Sequence, residues 1–392
     1  MAEAYIVGAL RTATGKNRGR LSQTHPVDLG GMLVDGLIDQ VGIDPEKVDD
    51  LIFGCVSQNS EQAGNVARNV ALASKLGESV PGVSVDRQCG SAQQAIHFAA
   101  QAVMSGTQDV VIAGGVESMS RVPMFSNISD SAEQGRGMPK SERLEERYPG
   151  IEFSQFMGAD MLAKKYELTR EELDNFGYQS HMKAVDATES GRFREEIMPI
   201  EVTLEGGISF THDADEGIRP NANLEALAGL EPLAEGGMIT AGSASQISDG
   251  SAAVMMANAD AVKQYGLKPR ARIHSLAVVG SDPVIMLEGP IPATKKALEK
   301  VGLKIEDIDL YEINEAFGSV PLAWAKAVGA DLDKLNVNGG AQANGHPLGC
   351  TGAKLMTTLL NELERRKGRY GLLAICEGGG TANCTIIERL DS

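Results

Sequence analysis

Short apolar runs alternate along the chain with segments whose apolar residues recur at helical spacing. The runs DLIFGCV (50–56), DVVIAGG (109–115) and LLAIC (372–376) are almost entirely apolar, which is typical of strands buried on both faces. SAQQAIHFAAQAVMSG (91–106) and TGAKLMTTLLNELERRKG (351–368) have the pattern of helices, each closed by a glycine. This alternation predicts an α/β fold with largely parallel sheets.

One order of elements occurs twice. In the first half, Cys89 precedes a helix, Gly106, the strand DVVIA and two glycines. In the second half, GCTG precedes a helix, Gly368, the strand LLAIC and three glycines. Two copies of one α/β unit would form a pseudo-symmetric pair of sheets that share helices. The alternative is that two unrelated helix–strand units look alike, and the pattern alone does not decide between them.

The middle of the chain differs from both halves. From about 121 to 238 it is richer in charged and turn residues, and sheet-like runs are sparse. We interpret it as an inserted, partly helical loop domain with charged helix candidates at EEIMPIEV (195–202) and NLEALAGL (223–230). The predicted divisions are an N-terminal half over 1–120 that is completed by 243–270, the loop domain over 121–242, and a C-terminal half over 271–392.

Composition narrows the class of protein. The formal net charge of −17 argues against a nucleic-acid partner, because phosphate binding favours a basic surface. No run of eighteen apolar residues and no secretion signal is present, and neither CxxC nor HExxH spacing predicts a metal site. Five scattered cysteines fit a reducing compartment. The expectation is a cytoplasmic enzyme without a metal, a membrane anchor or a nucleic-acid ligand.

Cys89 lies where the strand GVSV turns into a helix that starts near Gly90. Free N–H groups and the helix dipole at such a position favour a thiolate. The alternative is a buried structural cysteine. His97 is about 12 Å along the same helix, too far to share a proton with that thiol. His346, in the glycine-punctuated loop NVNGGAQANGHPLGC, is the better candidate for a base.

Two further strand ends carry polar or reactive side chains. Asn314 and Glu315 follow an apolar strand in YEINEAF, where an amide could hold a water or a carbonyl oxygen. Their alternative role is to cap the next helix. Cys376 ends the strand LLAIC and precedes EGGG, and three glycines without side chains indicate a thiol that must meet a substrate.

Taken together, these segments resemble the thiolases, the acetyl-CoA C-acyltransferases. The resemblance covers essentially the whole chain and rests on motifs in the family's order: RTATGK, CGSAQQA, GGVESMS, TAGSASQISDGSAA, NEAF, NGGAQANGHPLGCTGAK and CEGGG. It implies a thiolase fold, with two similar βαβαβαββ halves in an αβαβα layered arrangement and a loop domain between them.

The resemblance also implies catalytic roles. Cys89 matches the nucleophile that carries the acyl group as a thioester, and His346 matches its base. Cys376 matches the second cysteine, which moves a proton at the α-carbon of the other thioester. Asn314, through a water, and His346 match one oxyanion hole, and the backbone N–H groups of Cys89 and Gly378 match the other.

Coenzyme A is implied as a co-substrate, with no permanently bound cofactor. Arg219 matches an arginine near the nucleotide end of coenzyme A, and Ser245 matches a serine near its pantetheine. Met157 matches a methionine of the acyl pocket. Family members bind acyl-CoA and are usually dimers or dimers of dimers, so a homodimer or homotetramer is expected.

Some positions depart from the family pattern. Phe156 stands where short-chain members carry histidine, Leu233 replaces a common aromatic residue in a segment one residue shorter than usual, and Ala382 replaces a glycine. These departures favour a substrate larger than acetoacetyl-CoA. The tail and CGSAQQA are similar to a catabolic actinobacterial subgroup, some of whose members act on steroid-ring-derived acyl-CoAs.

Two other functions are alternatives to a thiolase. A ketoacyl-synthase-like condensing enzyme shares the fold, but Cys376 with three following glycines speaks against it. A non-catalytic acyl-CoA or lipid-binding protein is a second alternative, and the presence of Cys89, His346 and Cys376 speaks against that.

Overall fold

The computed structural model describes residues 3–391, and within that range eleven strands join edge to edge in one mixed sheet while two more form a separate ribbon. The strands are β1 Tyr5–Thr12, β2 Gly15–Lys16, β3 Asp50–Gly54, β4 Gly82–Val85, β5 Val110–Ser118, β6 Ile197–Met198, β7 Ile200–Thr203, β8 Ser209–His212, β9 Ser248–Ala257, β10 Ala271–Gly280, β11 Leu310–Ile313, β12 Tyr370–Glu377 and β13 Thr381–Arg389. The helices are α1 Pro26–Val41, α2 Val66–Leu72, α3 Ser91–Ser105, α4 Ser126–Glu133, α5 Glu142–Arg147, α6 Gln155–Lys165, α7 Arg170–Glu189, α8 Leu224–Ala228, α9 Ala259–Tyr265, α10 Pro290–Val301, α11 Ser319–Val328, α12 Ala341–Asn344 and α13 Thr351–Arg366.

The two halves of the large sheet repeat one topology. The first half has the strand order β4-β3-β5-β9-β1, and the second has β11-β12-β13-β10. They meet where β1 pairs antiparallel with β10, with Tyr5 opposite Arg272. The counterpart of β4 in the second half is reduced to a single bridge between Tyr311 and Leu335. The predicted α/β repeat is therefore confirmed, and its two sheets are continuous. The expectation of largely parallel sheets is wrong, because β9 runs antiparallel to β1 and β5, and β13 runs antiparallel to β10 and β12. The short turn between β12 and β13 can join only antiparallel neighbours.

Helices α3 and α13 belong to one buried core between the halves, which includes Ile96 on α3 and Leu359 on α13. Their first turns touch closely. A Cβ at Gly352 would lie 2.2 Å from the backbone nitrogen of Gln93, so only glycine fits at this crossing. Both helix starts, and the residues just before them, are thereby brought to one place in the fold.

Local predictions differ from the structure at two points. Gly106 takes the left-handed conformation that ends α3, as expected, but α13 ends one residue early, and Lys367, with φ of 57°, replaces Gly368 as its cap. The proposed helix over 195–202 is wrong. Pro199 lacks the N–H that a helix interior needs, and the alternating burial of Ile200–Thr203 is that of a strand. The helix predicted over 223–230 is confirmed as α8.

A buried ion-pair network ties Glu196 and Asp215, which come from the middle of the chain, to Arg11 on β1. The Nε of Arg11 lies 2.7 Å from a carboxylate oxygen of Glu196, and its Nη1 and Nη2 lie 2.8 and 3.0 Å from the two oxygens of Asp215. All three side chains are fully enclosed. Burial alone would raise the pKa of Asp215, but the charge of Arg11 holds it below the ordinary value. Asp215 also accepts a hydrogen bond from the Thr14 backbone N–H.

Replacing Arg11 with methionine is expected to lower the free energy of unfolding by about 3–5 kcal/mol, because two carboxylates would remain buried without a counter-charge. Chemical denaturation would measure this. Arg20→Met is the matched control, since Arg20 also stacks on a phenylalanine ring, but its ion pair with Glu216 is half-exposed. Arg20→Met should lower the free energy of unfolding by less than about 1 kcal/mol. Equal losses in the two variants would refute a special role for the buried network.

Candidate active site

Cys89 occupies the tight turn between β4 and α3, with Gly90 as the helix cap. Its side chain borders a cavity of about 330 Å³ with mainly apolar walls, formed by Val56, Gln88, Cys89, Met124, Phe125, Asn127, Ile128, Phe153, Gln155, Met286, Leu348, Gly378 and Gly379. Burial raises the pKa of Cys89 to about 12, and the charge of Glu377 adds to the increase. The resting thiol is therefore neutral, contrary to the expectation from its helix-start position, and it needs a base.

His346 supplies a base in a defined tautomer. Its Nδ1 lies 2.6 Å from the hydroxyl oxygen of Thr351, and that hydroxyl donates to the carbonyl of Pro347. The hydroxyl must therefore accept the Nδ1 proton, which leaves Nε2 without one. Nε2 lies 3.3 Å from the side-chain nitrogen of Asn314. Burial lowers the pKa of His346 to about 3, so the imidazole is neutral and can accept a proton.

The loop that carries His346 is held by hydrogen bonds between its backbone and two polar side chains. Gly345, with φ of 81°, adopts a left-handed conformation that favours glycine. The His346 backbone N–H donates to the hydroxyl of Ser248, and the ammonium group of Lys354 donates to the carbonyls of Asn344 and Gly345. The sequence did not predict this role of Lys354. Burial lowers its pKa to about 8.

Cys376 is the penultimate residue of β12, and 1% of its surface is exposed. Burial raises its pKa, and a charge on Cys89 raises it further. The end of β12 lies beside the Cys89–Gly90 turn, since Glu377 packs against Gly90 and Gly378 lines the Cys89 cavity, so a thiolate on one cysteine would disfavour a thiolate on the other. The sequence placed these thiols 287 residues apart, and the fold brings them together.

Gly378 lines the same cavity as Cys89, as expected for two backbone donors that serve one oxyanion. A Cβ at Gly378 would lie 2.9 Å from the side-chain oxygen of Gln88. Gly379 and Gly380, with φ of 80° and 74°, then form the turn to β13. The three glycines therefore serve close approach and a turn that other residues adopt poorly.

A second cavity of about 680 Å³ is lined by His346, and it shares Met124, Gln155 and Leu348 with the Cys89 cavity. Arg219, Ser245 and Phe156, all singled out from the sequence, line it. Met157 does not line either cavity and has 56% of its surface exposed, so its assignment to the acyl pocket has no support in this arrangement.

The larger cavity has an apolar wall and a wall that carries a basic side chain. Phe156 packs its ring edge-on against Phe317, with centroids 5.6 Å apart, and Leu233 also lines the cavity. On the basic side, the backbone N–H of Arg219 donates to Nδ1 of buried His181, a partner that sequence reasoning missed. These contacts fix one apolar and one cationic wall.

Two buried carboxylates hold the surrounding loops. Glu315 accepts hydrogen bonds from Ser180, Asn336 and the backbone N–H of Gln342 in the first turn of α12, so it braces these segments and does not cap the next helix, α11. Glu117, also missed from the sequence, accepts from the backbone N–H groups of Val56, Ser57 and Gly349 and from the amide of Gln62. It links the wall of the Cys89 cavity to the His346 loop.

Among the described residues no group of histidine, cysteine, aspartate or glutamate side chains is arranged to hold a metal ion. Between residues 3 and 391 no helix combines the length and apolarity required to cross a membrane.

Comparison with known proteins gives consistent matches. The family model for the N-terminal domain of thiolase matches residues 4–260, and that for the C-terminal domain matches residues 267–389. The chain is 54% identical to a steroid 3-ketoacyl-CoA thiolase of Mycobacterium tuberculosis, over all of this chain and 95% of that protein. It is 41% identical to a 3-ketoacyl-CoA thiolase of Idiomarina loihiensis over the full length of both. The crystal structure of the Bacillus anthracis acetyl-CoA acetyltransferase superposes with a TM-score of 0.91 at 38% identity, covering 100% of this chain and 99% of that one.

Proposed function

The chain belongs to the thiolase family, and from that premise we propose which of its residues carry out the reaction. The protein is an acyltransferase that cleaves a 3-ketoacyl-CoA with coenzyme A, or catalyses the reverse condensation. The observation that supports the assignment is that a neutral, tautomer-fixed His346 lines a cavity that shares the walls Met124, Gln155 and Leu348 with the cavity of Cys89.

The first half of the reaction forms an acyl-enzyme. Nε2 of His346 takes the proton of Cys89, and the sulfur attacks the 3-keto carbon of the substrate. The oxyanion that develops there is stabilised by the backbone N–H groups of Cys89 and Gly378. The bond between C2 and C3 then breaks. The electron pair passes to C2 as an enolate, whose oxygen faces Asn314 and protonated His346.

Acetyl-CoA is released when Cys376 donates its proton to C2 and becomes a thiolate. That thiolate then takes the thiol proton of an incoming coenzyme A, whose sulfur attacks the acyl group on Cys89. The second oxyanion collapses to acyl-CoA, and the Cys89 thiolate recovers its proton from His346. Each group therefore ends in its starting protonation state. Because every resting group is neutral and buried, charge appears in the site only as the reaction creates it.

Coenzyme A is assigned to the basic side of the 680 Å³ cavity, and the acyl group is assigned to its apolar side at Phe156 and Leu233. Arg219 and Lys16 on its wall provide positive charge for an anionic ligand in a protein of net charge −17. Ser245 offers a hydroxyl group near the point where the cavity meets His346. No permanently bound cofactor is part of this proposal. A homodimer or homotetramer remains our expectation for the assembly, and light scattering after size-exclusion chromatography would determine it.

The substrate is proposed to be a bulky, cyclic or medium-chain 3-ketoacyl-CoA. Phe156 and Leu233 give the larger cavity an apolar wall, and the Cys89 cavity is lined mainly by apolar side chains. The relative at 54% identity is named a steroid 3-ketoacyl-CoA thiolase, which supports the same direction. An apolar pocket distinguishes ligands by roughly 1–3 kcal/mol per misfitting methylene, so its lining can select the acyl group.

Thiolysis kcat/KM is therefore expected to rise at least about tenfold, worth about 1.4 kcal/mol, from acetoacetyl-CoA to a medium-chain or cyclic 3-ketoacyl-CoA. Leu233→Phe should reduce this preference by narrowing the cavity, whereas Leu224→Phe, at a similarly exposed leucine outside the cavity lining, should not. Equal or better activity on acetoacetyl-CoA would remove the bulky-substrate proposal. Absence of thiolysis on every member of the panel would remove the thiolase assignment itself.

A further inference from the structure

Glu377 is a buried acidic residue that adjoins Cys376 in the sequence and packs against Gly90, which follows Cys89, and it has no role in the proposed reaction. It follows Cys376 at the end of β12, and its side chain points to the opposite side, against the Cys89–Gly90 turn. The approach is so close that a Cβ on Gly90 would lie 1.9 Å from its Oε1. Glu377 is fully enclosed. Any side chain at position 90 would therefore displace this carboxyl group from the turn.

The two oxygens of Glu377 have different surroundings. Oε2 accepts a hydrogen bond of 2.7 Å from the hydroxyl of Thr381, on the neighbouring strand β13. Oε1 is buried and has no hydrogen-bond partner. An ionised carboxylate normally has several donors when it is buried, as Glu117 does with four. The arrangement suits a protonated carboxyl group, which carries no net charge.

The charged and titratable groups that face Glu377 come from three directions. Cys376 precedes it on β12, Cys89 and Arg87 lie in the turn before α3, and β13 contributes only the Thr381 hydroxyl and the Asn383 backbone N–H. Arg87 is the one cation among them. Burial raises the pKa of Glu377 to about 8 despite the opposing effects of Thr381, Arg87 and Asn383.

We infer that Glu377 is a positioning residue that works in its protonated form: the neutral carboxyl group supports the Cys89–Gly90 turn, and its ionisation suppresses the reactivity of the thiols. The reason is electrostatic. Both thiols become thiolates during the proposed reaction, and a carboxylate beside them in a site that excludes water would oppose each of those charges. The predicted effect on thiolysis rests on the proposed function. The interaction between the Glu377 carboxyl group and the thiols does not, because it can be measured without turnover.

The test is the rate at which iodoacetamide alkylates Cys89 as a function of pH, with the product mapped by peptide mass. Below about pH 7 wild type and Glu377→Gln should react alike within about twofold, because the carboxyl group is then neutral in both. At about pH 9 the wild-type carboxylate is charged, and Glu377→Gln should react about tenfold faster, a displacement of about one pH unit. The kcat/KM for thiolysis should show the same divergence above pH 8.

Asp86→Asn is the matched control. Asp86 is also an acid near Cys89, but it is exposed, and asparagine keeps an acceptor for the Gln88 backbone N–H. The negative charge of Asp86 also raises the pKa of Cys89, so Asp86→Asn can change the alkylation rate, but it should do so by the same factor at about pH 7 and at about pH 9 and keep the profile parallel to wild type. Parallel profiles for wild type and Glu377→Gln at all pH values would overturn the inference and leave the roles of Cys89 and Cys376 untouched.

Infrared difference spectroscopy, with wild type compared with Glu377→Gln, gives a second measurement that does not depend on thiol reactivity. The C=O stretch of a neutral buried carboxyl group should be present at about pH 6 and lost at about pH 10. A carboxylate band for Glu377 at pH 6, identified by its absence in Glu377→Gln, would also overturn the inference.

Discussion

Cys89→Ala is expected to lower kcat/KM for thiolysis by at least about 10⁴-fold, because the backbone donors that remain cannot replace a covalent nucleophile. The protein should still fold, since the side chain borders a cavity and has no structural hydrogen bond in the turn. Steady-state thiolysis of the best substrate, followed at the thioester absorbance, would measure the loss.

Cys384→Ala is the control for that experiment. Cys384 is also a buried thiol, but it lies in the core of the second half, where its nearest polar neighbour is Thr294. Activity should stay within about threefold of wild type, with a modest loss of stability from the small cavity. A Cys89→Ala enzyme that kept more than a few per cent of wild-type thiolysis would contradict the assignment of the nucleophile.

The second large effect concerns Cys376. Cys376→Ala is expected to lose about 10³-fold in thiolysis, because no other group is placed to exchange a proton with the α-carbon. Its Cys89 should nevertheless accept an acyl group, since that step uses His346. The distinguishing measurement is the exchange of the α-protons of acetyl-CoA with solvent deuterium, which this variant should lose and Cys384→Ala should keep. Exchange at the wild-type rate without Cys376 would show that another residue is the base.

Local sequence signals predicted much of the fold and of the site. The continuous apolar runs became buried strands, and the helical periods became α3 and α13 at nearly the predicted bounds. Cys89 and His346 could be selected because a reactive group in a glycine-rich turn is itself a local feature. Where two local signals competed, as around Pro199, the strand pattern prevailed over the charged composition that had suggested a helix.

The residues that were missed act through partners distant in the sequence. Glu117 braces Gly349 across 232 positions, and His181 holds the backbone of Arg219. The sequence predicts Lys354 only as part of a helix. Its ammonium group holds the loop before that helix by donating hydrogen bonds to two of the loop's carbonyl groups. The role inferred for Glu377 depends on its contact with Gly90, which lies 287 residues earlier in the sequence. Hydrogen-bond partners of buried polar groups are a property of the tertiary fold, and a single sequence does not contain them explicitly.

The central claim is that Cys89 carries the acyl group while Cys376 handles protons. The most direct test is to incubate the wild-type enzyme and Cys376→Ala with an acyl-CoA in the absence of a second substrate, and to measure intact and peptide masses after acid quenching. We predict one acyl mass per chain on the Cys89 peptide in both proteins and none in Cys89→Ala. An acyl group on the Cys376 peptide, or labelling that persists in Cys89→Ala, would contradict the account.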